Sequence, residues 1–272
     1  MQHFVFQNKD FSSHPLFINL SLIQYLATVD KDLLIGSGKV FICFTYGNFK
    51  KITSDGSKPE IEPVEIQPVE NFYKLGSSKE SKLVAISIKP DLLYNMVKLP
   101  KNPISANLFP LLPLDLQELF LQLRSKLSHV TDIKEAEKII LEHLSPFINQ
   151  WSEPTPITPI INLIFEKEGK TTIREILDQY PLSKSSLHAH FKRYIGFPPN
   201  FYIRLIRFNF ILRGILRNSY SIQEAIYQND YFDYSHLKKD FARFTGISPK
   251  ELNKIKNKSL TEVFEKINYR IS

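Results

Sequence analysis

Leu187-His188-Ala189-His190-Phe191-Lys192-Arg193-Tyr194-Ile195-Gly196-Phe197-Pro198-Pro199 is echoed about 50 residues later by Leu237-Lys238-Lys239-Asp240-Phe241-Ala242-Arg243-Phe244-Thr245-Gly246-Ile247-Ser248-Pro249. Both stretches spell Leu-x3-Phe-x-Arg-aromatic-x-Gly-apolar-x-Pro, and agreement at so many fixed offsets marks an internal duplication. The likeness continues upstream, where Thr172-Ile173-Arg174-Glu175 matches Ser221-Ile222-Gln223-Glu224. A hydroxyl residue with Glu three positions on is a capping box, which starts a helix by satisfying two backbone N–H groups that would otherwise lack acceptors. Each copy therefore reads as a short helix, a turn and a second helix.

In the first copy Ile173, Ile176 and Leu177 point inward, Pro181-Leu182 turns the chain, and Ser183 caps a helix that ends near Gly196. Leu187, Phe191 and Tyr194 form the packing stripe of that helix, leaving Ser185, His188, Ala189 and Lys192 on the opposite face. In the second copy Leu237, Phe241 and Phe244 pack, leaving Ser235, Lys238, Lys239 and Ala242 outside with Tyr234 at the tip. Small, polar or basic outer faces are what a helix needs to enter a DNA major groove about 12 Å wide. Between the copies, Pro199 to Leu216 carries Phe201, Leu205, Phe208, Leu212 and Ile215 on one apolar face. A helix of that length spans roughly 27 Å. With a recognition helix at either end, that approaches the ~34 Å between successive major-groove faces.

Charge separates the two parts of the chain. Residues 1–154 carry 16 Lys+Arg against 17 Asp+Glu, whereas residues 155–272 carry 19 against 11. The net charge of +7 thus arises wholly in the second part. Arg124 is the one arginine of the first part, and eight lie in the second. Guanidinium groups suit bidentate contacts to phosphate and guanine, so the imbalance speaks to partners. The single cysteine, Cys43, lies in the apolar run Val40–Phe44 and excludes both an internal disulfide framework and a cysteine-rich zinc site. No apolar run of ~18 residues occurs and the start lacks a basic-then-apolar leader, so a cytoplasmic protein with no membrane partner is expected.

Ahead of the duplication, residues ~38–90 read as strands: Val40–Phe49 as one run, and Ile61–Val69, interrupted by Pro63 and Pro68, as an edge strand. Asn71–Leu75 and Lys82–Ile88 read as a hairpin across Gly76-Ser77-Ser78-Lys79. Helical spacing begins after Pro90, in Leu92–Val97, Leu116–Leu127 and Ile133–Phe147. Pro154, Pro156 and Pro159 mark a linker. The expected organisation is a first domain over residues 1–150, a linker over 151–159, a helical domain over 160–256 and an amphipathic C-terminal helix over 257–272, with Leu260, Val263, Phe264 and Ile267 on one face.

These residues resemble the AraC/XylS family of bacterial transcription activators, over about residues 158–256. The second copy, Asp233-Tyr234-Ser235-His236-Leu237 through Phe241, Gly246 and Pro249, is the most specific part. Where the family usually has Gly-Phe before the second recognition helix this chain has Asp230-Tyr231, and the usual Ile-Ala appears as Ala225-Ile226. The resemblance implies an α+β fold. Its N-terminal part would be a small, cupin-like β-barrel sensor domain with appended helices. Its C-terminal part would be all-α, two helix-turn-helix units joined by a long helix. Lys82–Tyr94 is similar to the strand-Pro-helix step of such sensors. Double-stranded DNA is the implied partner, with RNA polymerase, a small-molecule effector and a second copy of the chain as further ones. Ser185, His188, Ala189, Lys192, Tyr234, Ser235, Lys238 and Lys239 would face bases or nearby phosphates. Arg193, Arg204, Arg207 and Arg243 are candidates for phosphates, and Phe41, Phe44, Tyr46 and Phe72 for a ligand pocket.

Other chemistry finds little footing. His188 and His190 stand two apart on a helix and point apart, unlike the i, i+4 pair of a helical zinc site, so no metal and no cofactor are expected. Glu60, Glu62, Glu65 and Glu70 lack a matched His or phosphate loop and read as a solvent-facing strand edge, so no enzyme is expected. Two alternatives stay open: an enzyme with an accessory basic domain, and an effector-free scaffold for transcription partners.

Overall fold

The computed structural model describes residues 4–11, 14–34, 37–52, 60–67, 73–97, 107–217, 219, 221–228, 231 and 233–255. Phe72, Asp230 and the C-terminal segment 257–272 lie outside the described residues. The chain opens with eight strands: β1 (Phe4–Asp10), β2 (Phe17–Tyr25), β3 (Val29–Leu34), β4 (Val40–Tyr46), β5 (Phe49–Ile52), β6 (Val64–Gln67), β7 (Tyr73–Ser77) and β8 (Lys82–Ile88). They form two antiparallel sheets, ordered β1-β2-β8-β4-β6 and β3-β7-β5.

The α+β arrangement stands as expected, with a correction to its first half: among the described residues the strands do not close into a barrel. Two further expectations change with it. Val40–Phe49 is not one strand, because the chain breaks at Gly47 and sends β4 and β5 to different sheets. Nor do Asn71–Leu75 and Lys82–Ile88 form a hairpin. β7 pairs with β3 and β5, whereas β8 lies between β2 and β4. Every residue of β8 is buried, as a strand covered on both faces requires. β6 does lie at a sheet edge. β1 to β3 precede the window read as strands, although Phe4 and Phe6 already alternate with more exposed neighbours.

A 3-10 turn, Pro90–Leu92, leads into α1 (Leu93–Met96), α2 (Leu114–Lys126) and α3 (Ile133–Trp151). α2 and α3 cover one face of the larger sheet, where Phe44 meets Phe120 at 6.4 Å and Phe120 stacks near Trp151 at 6.2 Å between ring centroids. The buried Lys82 fastens the end of α2 by donating from Nζ to the carbonyls of Leu127, Ser128 and Val130 at 2.7–2.9 Å.

The proline-rich connection after α3 is packed. Trp151 and Ile157 are buried, and Asn95 donates to the carbonyls of Trp151 and Glu153 at 3.0 and 2.8 Å. The hydroxyls of Thr155 and Thr158 both donate to the Asp91 carboxylate. Burial pushes the Asp91 carboxyl above the usual range, against the pull of those hydrogen bonds.

Helices then run to the end of the described chain: α4 (Thr158–Glu166), α5 (Ile173–Gln179), α6 (Lys184–Tyr194), α7 (Pro199–Leu216), α8 (Ile222–Gln228), α9 (Tyr234–Thr245) and α10 (Pro249–Ile255). α7 is the mast of this half. Phe201, Leu205, Phe208, Leu212 and Ile215 are all buried, each stabilising the fold by about 1.5–3 kcal/mol. None of the described helices is long and apolar enough to cross a membrane.

Candidate nucleic-acid interface

Both duplicated units start as the sequence predicts. Thr172 Oγ1 accepts from Glu175 N while the Glu175 carboxylate accepts from Thr172 N, and Ser221 with Glu224 repeats the exchange. Ser248 and Glu251 make a third capping box, which the sequence reading missed although Ser-x-x-Glu is plainly there. Ser183 Oγ accepts from Ser186 N at 3.0 Å to start α6, and Asp233 Oδ1 accepts from His236 N at 2.8 Å to start α9. α9 ends on Gly246 at φ 66°, the left-handed position that glycine fills without a Cβ clash.

The packing stripes fix which way α6 and α9 point. Leu187 and Phe191 of α6 and Leu237, Phe241 and Phe244 of α9 are all but inaccessible. Phe191 lies 6.0 Å from the Tyr202 ring, and Phe208 lies 5.0 Å from Phe241 and 5.2 Å from Phe244. Ser185, Ala189 and Lys192 are accordingly exposed on α6, and Tyr234, Ser235, Lys238 and Lys239 on α9. His188 is half-buried, with Nε2 enclosed and without a hydrogen-bond partner. His190 sits edge-on to Tyr194 at 6.1 Å.

The four candidate arginines each have a protein partner. Arg193 donates from Nε and Nη2 to the Tyr94 hydroxyl at 3.1 and 2.8 Å and lies over the Tyr94 ring. Arg204 is ion-paired with Asp240, Arg207 donates from Nε to the Gly169 carbonyl at 3.0 Å, and Arg243 lies 4.5 Å over the Phe201 ring. Asp240 is 2% exposed and also accepts from the Tyr231 hydroxyl at 2.8 Å. Tyr231 thus adds a polar tie to the inner side of α9.

Of the pocket candidates, Phe41, Phe44 and Tyr46, the three among the described residues, do not converge. Side chains alternate across a strand, so β4 turns Phe44 and Tyr46 toward the helices, where Phe44 meets Phe120 and the Tyr46 hydroxyl donates to the Arg124 carbonyl at 2.6 Å. Phe41 has the other parity, which it shares with Cys43 and Thr45. Those two help line a cavity of about 10 Å³ between the sheets, room for a single water at most.

The sequence reading also missed a seam between the β domain and the helices. Tyr202 of α7, fully buried, donates from its hydroxyl to the Gly38 carbonyl at 2.7 Å. Gly38 has φ 75°, the left-handed region that favours glycine, and a Cβ there would also push aside the tip of the Ile206 side chain 2.2 Å away. Lys39 beside it is fully buried, and burial, reinforced by the charge of Arg213, lowers its ammonium to about 7. Tyr94 meets Tyr194 edge-on at 4.8 Å, adding to the Arg193 contact.

A family model described as a helix-turn-helix domain matches residues 165–255, from the end of α4 to the end of α10. Among solved structures, ToxT from Vibrio cholerae is similar at 12% identity, with 90% of this chain and 97% of that one covered and a TM-score of 0.49. The AraC-like transcriptional activator CuxR is similar at 11% identity, with 68% and 74% covered and a TM-score of 0.28. No curated protein matches the sequence significantly. With a matched family model over residues 165–255 and two capped copies of the duplicated motif hung on one long helix, this part of the chain is a helix-turn-helix domain similar to those of AraC-type transcription regulators.

Proposed function

We propose that α6 and α9 read adjacent major-groove segments of one DNA site and that the β domain, on binding a small molecule, alters how α6 is presented. Ser185, His188, Ala189 and Lys192 of the first helix and Tyr234, Ser235, Lys238 and Lys239 of the second face the bases or flanking phosphates. What supports this reading is the exposure of Ser185, Ala189 and Lys192 on α6 and of Tyr234, Ser235, Lys238 and Lys239 on α9, opposite apolar stripes seated on α7, with His188 half-buried beside the first set. Residues 1–150 act as the sensor and 160–256 as the reader, with RNA polymerase and a second copy of the chain as partners at the promoter. Control by the β domain is supported by its contacts with α4, α6 and α7 through Asp91, Tyr94 and Gly38.

Selection of binding sites from random duplex DNA by the full chain tests the reading. A motif in two blocks centred about one helical turn apart is expected. Replacing both Lys238 and Lys239 by Ala should lower affinity at least tenfold at physiological salt without loss of folded structure. Wild-type affinity in that variant, or a motif in a single block, would remove the assignment.

A further inference from the structure

A groove of about 800 Å³ opens between α5, the first turn of α6 and α7. Arg174 of α5, Lys184 of α6, and Arg204 and Arg207 of α7 stand on its wall with Asn200, against one carboxylate, Asp178. Cations scattered over a convex surface are ordinary solvated groups. With Arg204 neutralised by the buried Asp240, Arg174, Lys184 and Arg207, from three separate elements, supply the excess positive charge on this one concave wall, an arrangement that favours a bound anion.

The groove's place in the domain narrows the choice of anion. Lys184 immediately precedes Ser185, where the outward face of α6 begins, so the wall continues into the first recognition helix. Arg204 reaches across to Asp240 of α9, which puts the groove where the two units meet along α7. The bond from Arg207 Nε to the Gly169 carbonyl sets the plane of that guanidinium in advance. A duplex read in two successive major-groove segments turns its minor groove, and the phosphates on either side of it, toward the protein between them.

We infer that this groove is a phosphate site, seating the DNA backbone where it crosses between the two major-groove segments, with Arg174 and Lys184 as its main contacts. The inference rests on the two-segment reading of DNA proposed above. It adds Arg174, Lys184 and Asn200, none of which is among the residues assigned above to bases.

The test uses the full chain carrying Arg174→Ala with Lys184→Ala, titrated against its selected duplex at several salt concentrations. The slope of log affinity against log salt should become shallower by about 2, since each lost phosphate contact removes about 0.9. The ranking of base changes in the motif should stay as in wild type. Arg174→Lys with Lys184→Arg should keep the wild-type slope, which separates lost charge from damage to the fold. An unchanged slope in the alanine variant overturns the inference. So does a thermal shift with inorganic phosphate that the alanine variant loses while its DNA slope stays unchanged, for the groove would then hold a free anion. If the wild-type chain selects no sequence, the two-segment reading fails by itself. The groove is then judged on random duplex, where a shallower slope in the alanine variant supports it and an equal slope rejects it.

Discussion

The two helix-turn-helix units share a motif and differ in what holds them. The inner side of α9 is fastened within the helical domain: Asp240 takes the Tyr231 hydroxyl and the Arg204 guanidinium, and Phe241 and Phe244 lie against Phe208. α6 is fastened partly by the other domain, through Tyr94 on Arg193 and Tyr194, and its neighbour Tyr202 is tied to Gly38. One unit is therefore positioned by the scaffold it is built on, the other also by the domain that would sense a ligand. A device that must change the spacing of two readers needs only one of them to be adjustable.

The sharpest way to break this comparison is at Asp240. Its carboxylate is buried while Arg204 keeps 41% of its side chain exposed, so solvent screens part of the loss. Asp240→Asn should still cost about 2–3 kcal/mol, because a buried charge-assisted bond and the Tyr231 bond are weakened together. Chemical denaturation of the full chain measures it. On the two-segment reading proposed above, the DNA block assigned to α9 should suffer more than the block assigned to α6. A loss under about 0.5 kcal/mol would mean that aromatic packing alone positions α9.

A smaller effect is expected at the seam of the other unit, in its response to pH. Lys39 is lowered to about 7 in the folded chain and returns to its ordinary value near 10.4 when unfolded. Between those values the unfolded chain binds the extra proton, so stability rises with pH from about 7 toward 10, by about 1 kcal/mol per unit at first. Below pH 7 both states are protonated and the burden of burying the ammonium is fully present. Lys39→Met should flatten this part of the stability profile. Asp91, shifted upward, acts in the opposite direction at acid pH, where the folded chain holds the proton longer, so the two contributions can be read in separate windows. An alkaline slope that survives Lys39→Met would show that another group sets it.

The contrast also explains what could be read from the sequence. The units were legible because their logic is local: caps act over three residues, and Leu187, Phe191 and Tyr194 recur at helical spacing. The sheet order was not, because β8 pairs with β2 across 58 to 71 positions of chain, and nothing within Lys82–Ile88 says which strand lies beside it. Tyr46-Gly47-Asn48 was a turn signal that could have divided β4 from β5. The seam was beyond reach, since Gly38 and Tyr202 lie 164 positions apart and Tyr94 and Arg193 lie 99 apart. Residues such as Phe41 and Phe44 looked like one cluster only until strand parity divided them.

The finest probe of the comparison is the Tyr94 hydroxyl itself. It accepts two bonds from an arginine that lies at the surface, so Tyr94→Phe should leave global stability nearly unchanged. The ring remains to pack on Tyr194, and Arg193 gains freedom to meet a phosphate beside the first recognition helix. If the first domain restrains α6 through this contact, binding to the block read by α6 should strengthen about two- to fivefold, a gain of roughly 0.4–1 kcal/mol. Binding to the block read by α9 should stay as it was. Equal changes at both blocks would instead make the Tyr94 contact part of a general surface charge effect, and the two units would then be alike in the one respect that now divides them.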